Sequence, residues 1–288
     1  MRVVAMLPQL TRSAASHLIE QGKVTVNGTV VTKAGYKLRL GDEVTVDYDP
    51  EVAESIPAIE LPIIYEDDDC VVIDKPIGLL THSKGLFNPE PSVASWLGTH
   101  LAKDPKNKLK DLEKDVAIGS PHNPRAGVVH RLDRATSGVI ILAKTPSALA
   151  WLQKQFAQRN VKKVYNAVIE GSLTPEEAII DMPIERNPKK PQTFRVGANG
   201  KPAVTAYSMI ERNDKYGLVE LRPHTGRTHQ LRVHLAHRGH PIVGDTFYGG
   251  KPAERLFLHA LSLELTLPSR IRKVFVSKLP AAFHDIMK

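Results

Sequence analysis

Three groups of residues in this 288-residue chain have the types and spacing to do chemistry. The first is His130-Arg131-Leu132-Asp133-Arg134-Ala135-Thr136-Ser137-Gly138, a polar, turn-like run that leads into the apolar strand Val139-Ile140-Ile141-Leu142-Ala143. Asp133 has Arg134 beside it and Arg131 two residues before it. Nearby positive charge favours the ionised acid, and a loop ending on a buried strand is a firm support for a catalytic group. Charge pattern alone fits a surface salt-bridge loop at least as well. The second group is Tyr165, which follows Lys162-Lys163-Val164 on a β-branched stretch; taken alone it reads as a strand aromatic of the core. The third is Pro223-His224-Thr225-Gly226-Arg227-Thr228-His229-Gln230-Leu231-Arg232, a glycine turn entering a helix expected over Thr228–Arg238. An arginine at a helix N-terminus opposes the macrodipole at a cost of about 0.3–1 kcal/mol. Arg227 is better explained as the partner of a buried carboxylate or a phosphate, with a plain surface arginine as the alternative.

Other chemistries lack their residues. His234, His237 and His240 recur every third position, but there is no His-Glu-x-x-His and no second cysteine to complete a zinc set. No phosphate-binding glycine loop or dinucleotide motif is present, and Thr136-Ser137-Gly138 is not a nucleophile elbow. Neither a metal nor a nucleotide cofactor is expected.

Hydrophobic residues make up 42% and charged residues 24% of the chain, the composition of a globular protein. One cysteine, Cys70, excludes an internal disulfide framework and fits a reducing compartment. The N-terminus lacks a signal-peptide pattern, and no apolar run approaches the roughly 20 residues that span a bilayer. A cytoplasmic monomer is expected. Net charge is +8 and unevenly spread: residues 51–80 hold 1 Lys+Arg against 8 Asp+Glu, whereas residues 81–288 hold 32 against 18. The basic excess surrounds the Asp133 loop, and such a field favours a polyanion, nucleic acid above all.

The elements that must position these residues fall into two blocks with a linker. Thr11 to Gly22 reads as a short helix, and Val24-Thr25-Val26 and Thr29-Val30-Val31 as strands joined at Asn27-Gly28, a strong hairpin signal. Glu43 to Asp47 closes that block. Residues 50–61 hold two prolines and three acids and read as a linker. Strands follow at Ile63–Tyr65 and Cys70–Asp74, then a helix over Ser92–Ala102. The lysine-rich segment 103–127 reads as a loop. A helix from Pro146 to Arg159, strands at Lys162–Gly171, Ala203–Glu211, Leu218–Arg222, Leu263–Leu267 and Val274–Val276, and a short helix from Ala281 complete the chain. The stretch 186–202 reads as a loop. Strands outnumber helices and sequence neighbours look antiparallel, which predicts an α+β fold with a mixed, largely antiparallel sheet.

The first block resembles the S4 RNA-binding domain, through Arg12-Ser13, Leu18-Ile19, Gly22-Lys23-Val24-Thr25-Val26-Asn27-Gly28 and Gly41-Asp42-Glu43-Val44. The resemblance implies RNA contacts at Arg12 and Lys23, with Lys33 nearby. The second block resembles the RluA family of RNA pseudouridine synthases. The likeness rests on Asp74-Lys75-Pro76-Ile77-Gly78, the run Gly127 to Gly138, Lys163-Val164-Tyr165, Lys201 to Thr205, Thr225 to His234 and Pro241 to Gly249. One departure is Thr81-His82-Ser83-Lys84-Gly85, where many members have His-Pro. The resemblance implies a pseudouridine synthase fold over residues 62–288, preceded by an S4-like domain over 1–49. It implies isomerisation of specific uridines, most often in large-subunit ribosomal RNA, with transfer RNA or a non-catalytic role in ribosome assembly as alternatives. It casts Asp133 as the catalytic carboxylate, Tyr165 as the aromatic against the base and Arg227 as the arginine that pairs with Asp133. Arg131 would enter the space a flipped base leaves, and Arg134 would make a phosphate or structural contact.

Overall fold

The computed structural model describes residues 12–47, 56–82, 90–103 and 127–288. The chain divides into two compact units, one of Met1–Ile59 with His82–Ala126 and one of Glu60–Thr81 with Gly127–Lys288.

In the first unit, helix α1 (Arg12–Glu20) buries Ala15, Leu18 and Ile19. Gly22, at φ +73°, ends it with backbone bonds from Gly22 N–H to Ile19 and from Lys23 N–H to Leu18. Strands β1 (Val24–Val26) and β2 (Thr29–Val30) form the expected hairpin, with Asn27 and Gly28 both at positive φ. β3 (Val44–Val46) pairs with the other edge of β1. Leu18, Ile19, Val24, Val26 and Val31 form this small core. Helix α2 (Val93–Lys103) belongs to the same unit; Ser92 and Ser95 cap its start reciprocally, each backbone N–H bonded to the other's hydroxyl. The side chain of Arg12, the 103–127 segment apart from Lys103 and Gly127, and Ser83-Lys84-Gly85 lie outside the described residues.

The second unit carries one large sheet. Its strands are β4 (Ile63–Glu66), β5 (Cys70–Lys75), β6 (Ser137–Ala143), β7 (Lys162–Glu170) and β8 (Glu177–Asp181), then β11 (Val204–Arg212), β12 (Tyr216–Pro223), β13 (Leu258–Thr266) and β14 (Arg272–Val276). The order is β4-β5-β6-β13-β7-β12-β11-β8, with β14 on β13. Every pairing is antiparallel except β6 with β13, so the sheet is mixed and largely antiparallel, as the sequence predicted. All seven residues of β6 are buried; its unbroken apolar run fits a strand covered on both faces. Helix α3 (Pro146–Ala157) lies over one face. Thr145 caps it by accepting from Ala148 N–H at 3.1 Å, and Pro146 takes a first-turn position that needs no donor. On the other face Leu231 and Leu235 of α4 (Gln230–His237) and Phe283 of α5 (Ala281–Asp285) join Ala167, Val219 and Leu258.

Gly138 permits the one parallel pairing. It sits at φ +115°, and a Cβ there would lie 2.2 Å from the Ala260 carbonyl oxygen. β13 therefore runs against β6 at the point where the Asp133 loop joins the sheet.

The structure differs from the sequence reading at several points: β8 lies in a stretch given no element, β13 begins at Leu258 rather than Leu263, and two further differences concern the 186–202 stretch and the start of α4. The stretch read as a loop over 186–202 contains β10 (Phe194–Val196), paired with β9 (Ile184–Arg186) in a separate two-stranded hairpin. Three-residue strands are too short to show alternation, and the prolines and lysines between them hid the pairing. Helix α4 begins at Gln230 rather than Thr228, because His229 adopts left-handed backbone at φ +56° and cannot continue a right-handed helix.

Candidate active site

Asp133 stands in the loop that enters β6, and the loop is fixed from below. Thr81 donates its hydroxyl to the Leu132 carbonyl at 2.8 Å and accepts from Leu132 N–H at 3.3 Å. Lys75, fully buried at the end of β5, donates to the carbonyls of Pro76 and Leu79 at 2.9 Å each and to that of Arg134 at 3.4 Å. Burial pulls the lysine down to about 8, against the opposing pull of Asp133. Gly78 N–H donates to Arg134 O at 2.8 Å, and Arg134 Nε returns a bond to Gly78 O at 2.9 Å. Arg134 is thus committed in part to the loop itself.

His130 anchors the other end of the loop. Its Nε2 accepts from Ile141 N–H at 3.1 Å, and its ring stacks on Phe156 of α3 with centroids 4.6 Å apart. Burial, with Lys163 adding to it, pushes His130 down to about 3, so it is a neutral structural group carrying its proton on Nδ1.

The carboxylate of Asp133 is half-buried and addressed on one oxygen. Oδ2 lies 3.5 Å from Arg232 Nη1 and 3.7 Å from His229 Nε2. Among the described residues no hydrogen bond reaches Oδ1. The arginine facing Asp133 is therefore Arg232. The expectation that Arg227 fills this place is corrected: Arg227 precedes the helix, its Nε donates to the Pro202 carbonyl at 2.9 Å, and its side chain lines the cavity without pairing to Asp133. The macrodipole argument that singled it out loses its basis, since the helix starts three residues later.

Arg232 is 5% exposed and is held by two further groups. Its Nε and Nη2 reach the two oxygens of Asp245 at 2.7 Å each, and its guanidinium lies 5.0 Å from the ring centre of Tyr248. The Tyr248 hydroxyl accepts from Phe194 N–H at 3.0 Å and sits 2.7 Å from His229 Nδ1. Because Nε2 faces the Asp133 carboxylate at 3.7 Å, the favoured tautomer carries its proton there, and the Tyr248 hydroxyl then donates to Nδ1. Burial lowers the His229 pKa, with Asp133 acting in the opposite sense.

Tyr165 projects from β7, opposite Ala260 of β13 and Leu221 of β12. Burial first, and the charge of Asp133 second, hold its phenol well above the usual range, so it keeps its proton at neutral pH. Asp133, Tyr165, Arg227, His229 and Arg232 share a cavity of about 120 Å³, with Arg131 exposed beside them. That is below the roughly 300–1,000 Å³ of sites that hold drug-sized molecules and suits a single pyrimidine base. Lys23 is exposed in the first unit. Among the described residues no His, Cys, Asp or Glu group is arranged to hold a metal, and His234 has both ring nitrogens engaged, by Thr205 and by the Met182 carbonyl.

Sequence reasoning missed His229, Arg232 and Asp245. One signal was available: Arg232 lies between Leu231 and Val233 on a helix with few other charges, and a charge in such a setting must be paired.

A sequence model of the RNA pseudouridylate synthases matches residues 69–237, and one of the S4 domain matches residues 1–44. The chain belongs to the RNA pseudouridylate synthase family. Among relatives of this pseudouridine synthase, an RNA pseudouridine synthase of Aquifex aeolicus is 40% identical over 248 residues, covering 85% of this chain and 74% of the relative. The ribosomal large subunit pseudouridine synthase D of Salmonella typhimurium is 38% identical over 301 residues, covering 98% of this chain and 87% of the relative. The solved structure of human RNA Pseudouridylate Synthase Domain Containing 4 aligns with a TM-score of 0.59 and 28% identity, over 77% of this chain and 90% of that one. The protein is thus an isomerase acting on RNA, a synthase domain with an S4 domain in front. No helix among the described residues is long and apolar enough to cross a membrane.

Proposed function

We propose that Asp133 is the catalytic carboxylate and that the substrate is uridine in large-subunit ribosomal RNA, acted on in the cytoplasm. The observation that carries the first part is the asymmetry of Asp133, with Oδ2 held by Arg232 and His229 while Oδ1 is left for the substrate. Converting uridine to pseudouridine breaks C1′–N1, turns the uracil and joins C5 to C1′; the C5 hydrogen leaves and N1 gains one, with no net oxidation. Cleavage builds positive charge on the sugar, and a fixed carboxylate oxygen opposes or traps it. The protonated Tyr165 packs beside the base. A uridine in folded RNA must leave its stack to reach this cavity, and Arg131 stands at the mouth to fill the vacancy. The name of the relatives supports the choice of RNA.

The test is a map of pseudouridines in total RNA from cells with the gene, without it, and with Asp133→Asn. Loss of the same large-subunit positions in the last two supports the reading. Loss confined to transfer RNA replaces the substrate, and a full map with Asp133→Asn rules out the assigned carboxylate.

A further inference from the structure

Beside the catalytic cavity lies a second one of about 440 Å³, sharing Arg131, Lys163, Tyr165 and Arg227 with it. Its own walls are of two kinds. Val129, Phe156 and Val161 give an apolar side, and Arg159 adds a cation at the end of α3. Arg159 is close enough to Lys163 to disfavour the lysine's charge: burial first and Arg159 second lower its pKa. Among the described residues no carboxylate pairs with Arg131, Arg159 or Lys163. Cations crowded around a cavity without a counter-charge carry a standing cost that an anion would remove. Arg159 is also held at φ +59°, in the left-handed region that residues other than glycine rarely adopt.

We propose that this second cavity is a nucleotide subsite: it takes the phosphodiester next to the target uridine between Lys163 and Arg159, and lays the attached base on the wall formed by Phe156. The inference rests on the uridine-isomerising reading of the Asp133 cavity and adds to it a second anchoring point on the same strand. The shared residues make the two cavities neighbours, as consecutive nucleotides require. An apolar wall facing clustered cations is the chemistry of single-stranded nucleic-acid sites, where bases stack and phosphates are neutralised.

The test uses the full chain and a large-subunit ribosomal RNA transcript, with turnover measured across a salt series. Wild-type turnover is the control for the functional reading: if the wild type modifies no uridine, that reading has failed. With an active wild type, Arg159→Gln, which keeps the chain length and the same backbone cost, is expected to lower kcat/KM about tenfold with kcat unchanged. It should also flatten the slope of log kcat/KM against log salt by about 0.7, the share of one single-strand phosphate. Arg159→Lys should restore the slope. Phe156→Leu also gives up its stack on His130, so it is read through KM: KM should rise about tenfold with the slope unchanged, the value of one lost base stack, whereas a loss confined to kcat would report a loosened catalytic loop and overturn the base wall. Lys278→Gln, an exposed cation lining neither cavity, is the charge control and should change nothing. A wild-type slope for Arg159→Gln, a slope change equal to that of Lys278→Gln, or a wild-type KM for Phe156→Leu in a protein of unchanged melting temperature overturns the subsite.

Discussion

Asp245 grips Arg232 by two 2.7 Å contacts, and the one guanidinium nitrogen left over, Nη1, is the one that faces Asp133. The arginine is thus aimed by one acid at another. A planar guanidinium fixed along one edge has no freedom to swing the opposite nitrogen.

Asp245→Asn should therefore act on catalysis without touching substrate. It leaves a buried arginine half-paired, which costs about 3–5 kcal/mol of stability, and kcat should fall more than KM rises. Thermal melting and steady-state kinetics on an RNA that the wild type modifies read both effects; unchanged kcat in a folded variant would show that Asp245 has no part in aiming Arg232.

Arg227 and Arg232 should separate cleanly. Arg232→Gln removes the charge next to Asp133 and is expected to cut kcat by at least about a hundredfold, of the order seen when a preorganised charge partner is lost. Arg227→Gln, whose side chain reaches the Pro202 carbonyl and the cavity wall, should raise KM by about tenfold and spare most of kcat. The reverse pattern would return Arg227 to the role the sequence suggested.

The neutrality of His130 gives a pH dependence with a defined sign. Its pKa falls from 6.5 to about 3 on folding, so below 6.5 the unfolded chain takes up a proton that the folded chain refuses. The contribution is fully present above pH 6.5 and is lost progressively as pH drops toward 3. Melting temperature should decline over that window in the wild type and decline less in His130→Gln, which does not titrate; parallel curves would refute the assignment.

Gly138→Ala should not yield folded protein at ordinary temperature. The added methyl would meet the Ala260 backbone at 2.2 Å where no side chain can yield, and the φ of +115° adds strain. Soluble, active Gly138→Ala would mean that β6 and β13 can separate without harm.

Much of this was visible in the order of residues. The turn at Asn27-Gly28, the buried run of β6 and the helix start at Pro146 are local signals that packing reinforces. The Asp133 loop and Tyr165 were marked by their neighbours, and most of their meaning came from family likeness rather than charge. What the sequence hid was long-range. Arg232 is 99 residues from Asp133, and no local pattern tells which of two nearby arginines, 227 or 232, turns inward. The left-handed His229 decides it by delaying the helix. The β9–β10 hairpin was hidden for a related reason, since its strands pair mainly with each other and bury little surface.

The bonds from Lys75 and Thr81 into the Asp133 loop carry a consequence for discrimination among substrates. The entropy of arranging that loop is spent when the protein folds, so an arriving RNA meets a finished electrostatic surface and contributes nothing to building it. Rate differences between uridines then measure how much work each RNA demands to surrender its base. A uridine in a loose loop is favoured over one in a stable helix, even where both make identical contacts once inside.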